Sequence, residues 1–353
     1  MIVVAKVTIV VPIYNVEKYL KDCFESFLKQ TSHDYVVLAI NDGSPDNSQV
    51  IIDEYVQKFP EIFHCIKKEN GGYGSVLQLA VNTIETPYFL ICDPDDTLEP
   101  DAVRVLLDLA EVSDADITIG AKSYVYVNST DKDYTYAYNR EFVTLLTNTV
   151  YHRGTAAYND LFFIDPSPHA KLYKREVARN ISFPEKVGYT DNILFYLSLL
   201  TADKVIYTDI SLANYLIDRP GNTMTDVSFK ALNGQISVFK GVINQAERRT
   251  NIPPIFWYRM FEIFKYMLYQ TRNLSCTEEE FMKIMDHLET FLDRLKPYDK
   301  DIRPFYKKYS KNGFVEKTRD SILMGKIGSK AVYQNLKKKM LKEFRENQAK
   351  RNA

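Results

Sequence analysis

The chain has 353 residues, 45% of them hydrophobic, with 25 Tyr and 20 Phe but only 14 Pro and 13 Gly. That is ample material for one large core or two uneven domains, and it excludes a low-complexity or disordered chain. The net charge of −1 conceals an asymmetry: residues 301–353 carry 15 Lys/Arg against 5 Asp/Glu, which leaves −11 for residues 1–300, a body too acidic to suit nucleic acid. Cys23, Cys65, Cys92 and Cys276 are widely spaced without a CxxC pair, so neither a disulfide framework nor a thiolate zinc site is expected, and a reducing, cytoplasmic setting fits.

The opening MIVVAKVTIVVPIYN is apolar but short, contains Lys6 and runs into a turn, so it reads as a first strand rather than a signal peptide. No apolar run approaches the roughly 18 to 20 residues that span a bilayer. Within the opening, VTIVVP (residues 7–12) has the consecutive β-branched residues of a strand covered on both faces. NVEKYLKDCFESFLKQ then sets Val16, Leu20, Cys23, Phe24, Phe27 and Leu28 at helical spacing, with Asn15 as a candidate N-cap. YVVLAINDGSPDNS repeats strand and polar turn ahead of the helical SQVIIDEYVQKF.

IFHCIKK reads as a strand, GYGSVLQLAVNTI as a helix, PYFLICD as a strand, PDAVRVLLDLAEVS as a helix with Pro100 in its first turn, and ADITIGAKSYVY as a further strand. This alternation predicts an open, mostly parallel α/β sheet whose ligands sit at the carboxyl ends of the strands. The polar turns after Pro12, Ile40 and Cys92 should therefore converge in space. Residues 123–165 loosen into sequence with Tyr124, Tyr126, Tyr134, Tyr136 and Tyr138, either a half-buried hairpin or an acceptor-side insertion. A helical DNILFYLSLLTAD, a strand-like KVIYTDISLANYLI and nearly continuous helix over 228–294 follow.

The chemistry concentrates in YFLICDPDDTLEP, where Asp93, Asp95 and Asp96 follow an apolar strand with no Lys or Arg beside them. Packed together they would repel one another, and a divalent cation, Mg²⁺ or Mn²⁺, would resolve that cost with substrate phosphate completing its shell. Taken alone, the stretch reads more readily as a solvated turn before a helix, where Asp is common for capping.

The other turns add a pattern. VTIVVPIYNVEKYLKDCFESFLKQT, NDGSPDNS, ENGGYGSVLQLAV, DPDD, HAKLYKRE, ISFPEKVGYTDNILF and YLIDRPGNTMT, in this order over about residues 6–225, resemble the nucleotide-sugar-dependent glycosyltransferases of family 2. The resemblance implies a GT-A fold, a Rossmann-like, mostly parallel sheet flanked by helices. Residues 1–225 would form the glycosyltransferase domain and residues 226–353 a mainly helical region with a basic tail.

By position, the resemblance places Pro12 and Tyr14 along a uracil ring, Asp42 on the base, Asp93 near the ribose and Asp95 on the metal, Mn²⁺ or Mg²⁺. Asp96 is left to orient acceptor or loop, or to touch the metal. Asp191 in YTDN falls at the catalytic base, with Thr190 where the family usually has a second acid. Arg219 and Asn222 fall in a segment that closes over the diphosphate. Asn70 and Gly71 are donor-side candidates, with Gly74 permitting close packing, and His169 and Lys171 are candidates for acceptor or phosphate contact. The implied reaction is inverting, metal-dependent transfer of a sugar from a UDP-sugar to a hydroxyl of a bacterial surface glycan, lipid-linked saccharide or glycoprotein.

Two other readings compete. A nucleotidyltransferase would also gather Asp and a cation at strand ends, but the chain lacks a Gly-rich, Lys/Arg-bearing loop after its first strand. An inactive saccharide-binding scaffold is opposed by the retained Asp42, Asp93, Asp95 and Asp191. Beyond residue 226 the resemblance fades. There Val332, Leu336, Met340 and Phe344 form a helical stripe among Lys337, Lys338, Lys339 and Lys342, which suits either a packed, solvated terminal helix or peripheral contact with the inner face of a membrane. The helices over 228–294 suit enclosure of an acceptor or a homodimer surface.

Overall fold

A computed structural model describes residues 5–219, 226, 228–309 and 329–351. The chain forms two compact units, Met1–Asn222 and Thr223–Ala353.

The first unit is built on one mixed sheet. β1 (Val7–Ile13), β2 (Tyr35–Asp42), β3 (Phe63–Lys68) and β4 (Tyr88–Ile91) pair in parallel in the order β3-β2-β1-β4. β6 (Ile117–Val125) and β10 (Lys204–Leu216) continue in that direction, and β9 (Lys171–Lys174) lies antiparallel between β4 and β6. The carboxyl ends of six strands and the amino end of β9 therefore share one edge. β1 has no exposed residue, as expected of consecutive apolar positions in a central strand. Among the described residues, shorter strands complete the sheet: β5 (Thr97–Leu98), β7 (Lys132–Thr135) and β8 (Thr149–His152). The loosened stretch after residue 123 thus contains the end of β6, both of the last two strands and a 3₁₀ turn at Ala157–Phe163.

Helices α1 (Glu17–Leu28), α2 (Ser48–Lys58) and α4 (Ala102–Ser113) contribute to one apolar layer with the sheet. Leu20, Cys23, Phe24 and Phe27 of α1 meet Ile52 and Tyr55 of α2, and Phe24 packs edge-on to Tyr55 and Phe63 at 5.0 Å. α3 (Tyr73–Thr83) packs on β1 and β2. α5 (Arg175–Ala178) and α6 (Asp191–Leu199) follow β9. Two helix starts differ from the sequence reading. Val16, not Asn15, precedes α1, because Asn15 adopts a left-handed φ of 55° in the turn. Pro100 lies ahead of α4, whose N-cap is Asp101.

The second unit holds α7 (Phe229–Ala246), α8 (Pro254–Gln270), α9 (Glu278–Leu295), α10 (Asp299–Tyr309) and α11 (Lys330–Arg351). Thr277 and Glu280 form a reciprocal capping box at the start of α9. The buried stripe of α11 is Tyr333, Lys337, Met340 and Phe344, with Val332 and Leu336 only half-buried. That stripe faces α9: Phe344 stacks on Phe281 at 4.4 Å, the Tyr333 hydroxyl donates to the Met285 carbonyl at 2.6 Å, and Lys337 pairs with Asp286. The apolar face considered for a lipid surface is covered within the unit, while Lys338, Lys339 and Lys342 remain exposed. Among the described residues no helix is long and apolar enough to cross a membrane.

Candidate active site

The turns that follow β1 and β2 are tied together. Ser44 Oγ accepts the Asn15 amide at 2.8 Å, Asp46 accepts the Glu17 amide at 2.8 Å, and Glu17 accepts the Asn47 amide at 2.7 Å. Burial pushes the Asp46 carboxyl up, but hydrogen bonds from Ser44, Ser48 and the Glu17 amide bring it down to about 2. Pro12 is buried in β1 beside Ile40, and Tyr14 projects beyond it, 50% exposed.

Asp42 ends β2 and is buried. Its Oδ1 accepts from Lys68 Nζ at 2.5 Å and from the Gly71 amide at 2.9 Å, and its Oδ2 accepts the Gly72 amide at 2.7 Å. Asn70 Nδ2 donates to the Asp42 carbonyl at 3.1 Å. Asp42 thus gathers Asn70, Gly71 and the start of α3 against the end of β2. Gly71 has no room for a side chain, since a Cβ would stand 2.5 Å from Ser75 Oγ.

The acidic turn lies between β4 and β5. The Asp96 amide donates to the Asp93 carbonyl at 3.0 Å, and β5 then pairs antiparallel with the second half of β10, beyond its bulges between Tyr207 and Ala213. This pairing carries the end of β10 to the acidic residues. The Leu216 amide donates to Asp96 Oδ1 at 2.9 Å, and Arg219 pairs with Asp95. Arg219 also lies over the Tyr19 ring, 5.7 Å from its centroid.

Asp93 accepts from the Tyr73 hydroxyl at 2.9 Å, while Asp96 meets His169 Nε2 at 2.7 Å. Burial first, then the charges of Asp96, Asp95 and Asp191, push the Asp93 carboxyl well above the usual range. Burial and the charge of Asp95 push Asp96 up in the same way, and burial with the nearby Lys122 pushes His169 well down. Protons are thereby favoured on the acids and disfavoured on the imidazole, since burial penalises the charged form of each.

Asp93, Asp96 and His169 fit a divalent cation: their ligand atoms lie within 4.8 Å of one another, and the buried His169 Nδ1 has no hydrogen-bond partner. A cation there would pull both carboxyls back down and hold the imidazole neutral, the form that ligates.

Asp191 is the first residue of α6 and is partly buried. Burial and repulsion from Asp165 raise its carboxyl to about 6, against the pull of Asn192 and Lys171. Thr190 before it is fully buried and its hydroxyl has no partner, so a second acid at that position would face the same desolvation. Lys171 opens β9 and is buried. Its Nζ donates to the Ser167 carbonyl at 2.5 Å, and burial drives it down to about 7 despite the attraction of Asp165. Lys122, buried in β6, donates to Asp165 at 2.6 Å and to Ser167 Oγ at 2.9 Å. Burial works to raise Asp165, but the two lysines hold it well below its ordinary value.

Residues 8–182 match the family model described as glycosyl transferase family 2. The chain belongs to this family. It is 27% identical over 295 residues to glycosyltransferase GlyG of Streptococcus pneumoniae, covering 81% of this chain and 96% of that protein. Residues 1–349 of S. aureus TarS, crystallised with UDP, superpose with a TM-score of 0.67 at 16% identity, covering 99% of this chain and 92% of that one. Mannosyltransferase PcManGT from Pyrobaculum calidifontis, in complex with GDP-Man and Mn²⁺, gives a TM-score of 0.51 at 14% identity over 97% and 85% of the two chains. The protein is a family 2 glycosyltransferase with the GT-A fold.

Of the residues that the sequence of this glycosyltransferase singles out, the structure gathers Asp42, Asn70 and Gly71 around one turn, and Asp93, Asp95, Asp96, His169 and Arg219 around another. Asp191 is linked to the second group through its charge on Asp93, and Lys171 through its charge on His169. Asn222 lies outside the described residues. Sequence reasoning missed Lys68, Tyr73, Lys122 and Asp165. Lys122 left a signal, a lone cation inside the apolar run ITIGAKSYV, where burial demands a partner.

Proposed function

We propose that this glycosyltransferase moves a sugar from a UDP-sugar to a hydroxyl of a glycan, lipid-linked saccharide or glycoprotein, with inversion and with the help of Mn²⁺ or Mg²⁺. The observation that carries the reading is that Asp93, Asp95, Asp96 and Arg219 meet at the carboxyl edge of one sheet and that the charge of Asp191, at the start of α6, reaches Asp93, so acids suited to a cation, a base and a phosphate-binding guanidinium lie together. The UDP complex of TarS supports the choice of nucleotide, and the Mn²⁺ complex of PcManGT supports the choice of metal.

Asp42 and the turn it organises, with Pro12 and Tyr14 across from it, are the surface for the base, and Asp93 faces the ribose. Asp95, together with Asp93, Asp96 and His169, would hold the metal. A bound divalent cation supplies charge balance for the departing diphosphate. Arg219 exchanges Asp95 for phosphate oxygens, where its planar fork neutralises developing charge. Asp191, unprotonated at neutral pH, accepts the acceptor's proton as the hydroxyl attacks the anomeric carbon opposite the leaving phosphate.

The test is a panel of nucleotide sugars with and without Mn²⁺, followed by thermal shift and release of nucleoside diphosphate. Metal-dependent binding and release with UDP-sugars are expected. Preference for a guanine nucleotide, or no metal dependence, would remove the corresponding part of the proposal.

A further inference from the structure

The sheet order gives the cleft a direction. The residues assigned above to base and ribose lie at the ends of β2, β1 and β4, so the remaining length of the carboxyl edge, past β9 to β6 and β10, lies beyond the donor's reacting carbon. There the register of parallel β6 and β10 sets Tyr124 beside Tyr215. Their rings stand 5.9 Å apart at 57°, and both are partly exposed.

Tyr215 is continuous with the site. Its ring lies 4.4 Å from that of His169, which meets Asp96, and Lys122 Nζ stands 5.3 Å from its centroid. The other tyrosines of this region are used differently. Tyr134, Tyr136, Tyr138 and Tyr207 pack against one another in a chain, with Tyr134 opposite Ser123 and hence on the other face of the sheet from Tyr124.

An aromatic face at the end of a polar cleft is suited to the C–H face of a sugar ring, with the hydroxyls left to the polar rim. We infer that Tyr124 and Tyr215 form the platform on which the pyranose ring of the acceptor stacks, next to the Asp96–His169 pair. The inference rests on the donor placement proposed above and adds the acceptor class: a ring-bearing saccharide end rather than an open-chain polyol phosphate.

The experiment separates the two. Saturation-transfer NMR on the full chain, without donor, uses methyl β-glucoside and methyl β-N-acetylglucosaminide as probes and ribitol 5-phosphate as the ring-free comparator. Transfer to the ring C–H protons of a pyranoside is expected, reduced about five- to tenfold in Tyr124→Leu and Tyr215→Leu and retained in the Phe variants. Release of UDP from a UDP-sugar in the absence of acceptor is measured in parallel on the wild type. Equal transfer in wild type and both Leu variants, or transfer to ribitol phosphate alone, would overturn the platform while leaving the donor assignment intact. Failure of wild type to release UDP would instead strike the donor assignment, and the binding result would still decide the platform.

Discussion

His169 Nε2 stands 2.7 Å from Asp96 Oδ2, joining buried residues 73 positions apart at the point where β9 enters between β4 and β6. Two carboxylates and an imidazole make a donor set that suits Mn²⁺ better than the all-oxygen shell Mg²⁺ prefers. His169→Ala should therefore weaken Mn²⁺-dependent binding of UDP by at least about tenfold, and His169→Asp should shift the preference toward Mg²⁺. Titration calorimetry with each metal, and after chelation, measures both. Unchanged Mn²⁺ dependence in His169→Ala would leave the metal to Asp95 and the other acids.

Arg219 is held on Asp95 by the pairing of β5 with β10, and on the proposed reading its transfer to a diphosphate would leave Asp95 open to a cation. Arg219→Met should cost UDP about tenfold in affinity, the scale of a charge-assisted contact, while uridine, which has no phosphate, binds as before. Competition binding of the two ligands reads this directly. Parallel losses for UDP and uridine would mean that Arg219 shapes the base pocket instead.

If Asp191 is the base proposed above, it sets the acid limb of activity. Its carboxyl titrates near 6 because burial disfavours the charge, so the transfer rate should fall about tenfold per pH unit below that value. The stability effect has the opposite sign. The folded value lies above the ordinary 3.8, so the buried charge costs stability above pH 6, and that cost is relieved as pH falls toward 4. Asp191→Asn should then abolish the acid limb together with most transfer, preserve donor binding and raise Tm at pH 8. Full transfer by this variant would end its role as base.

The strands, the helices between them and the convergence of the first three polar turns are legible because each rests on local periodicity and turn chemistry. Asp42, Asp93, Asp95 and Asp191 stand out by resemblance of the motifs around them rather than by periodicity. The partners of those residues were not legible. Lys68 on Asp42, Tyr73 on Asp93 and Arg219 on Asp95 follow from which strands neighbour one another. The four-residue β9, whose antiparallel entry brings His169 and Lys171 beneath the acids, is too short to show a period. The α11 stripe was nearly legible. A helical period of 3.6 fits more than one register, and packing on α9 selected Tyr333 and Lys337 over Val332 and Leu336.

Gly74 links this packing to the chemistry. A Cβ on it would stand 2.1 Å from the Pro184 carbonyl oxygen and 3.1 Å from the Thr190 methyl, so the start of α3 and the segment that delivers Asp191 are in backbone contact. The Lys186 amide also donates to the Gly71 carbonyl at 2.5 Å, which leaves that segment little freedom to retreat. Gly74→Ala should destabilise the protein by about 1–3 kcal/mol, the usual range for overpacking. It should also lower kcat by displacing Asp191, and raise donor KM to the extent that the start of α3, which carries Tyr73, shifts with it. Gly188→Ala is the control, since a Cβ there meets nothing within 4 Å. Denaturant melts and steady-state kinetics on both variants decide the matter: a drop in stability with kcat intact would show that the Asp191 segment moves as a unit with Pro184, and that close packing at Gly74 serves the fold alone.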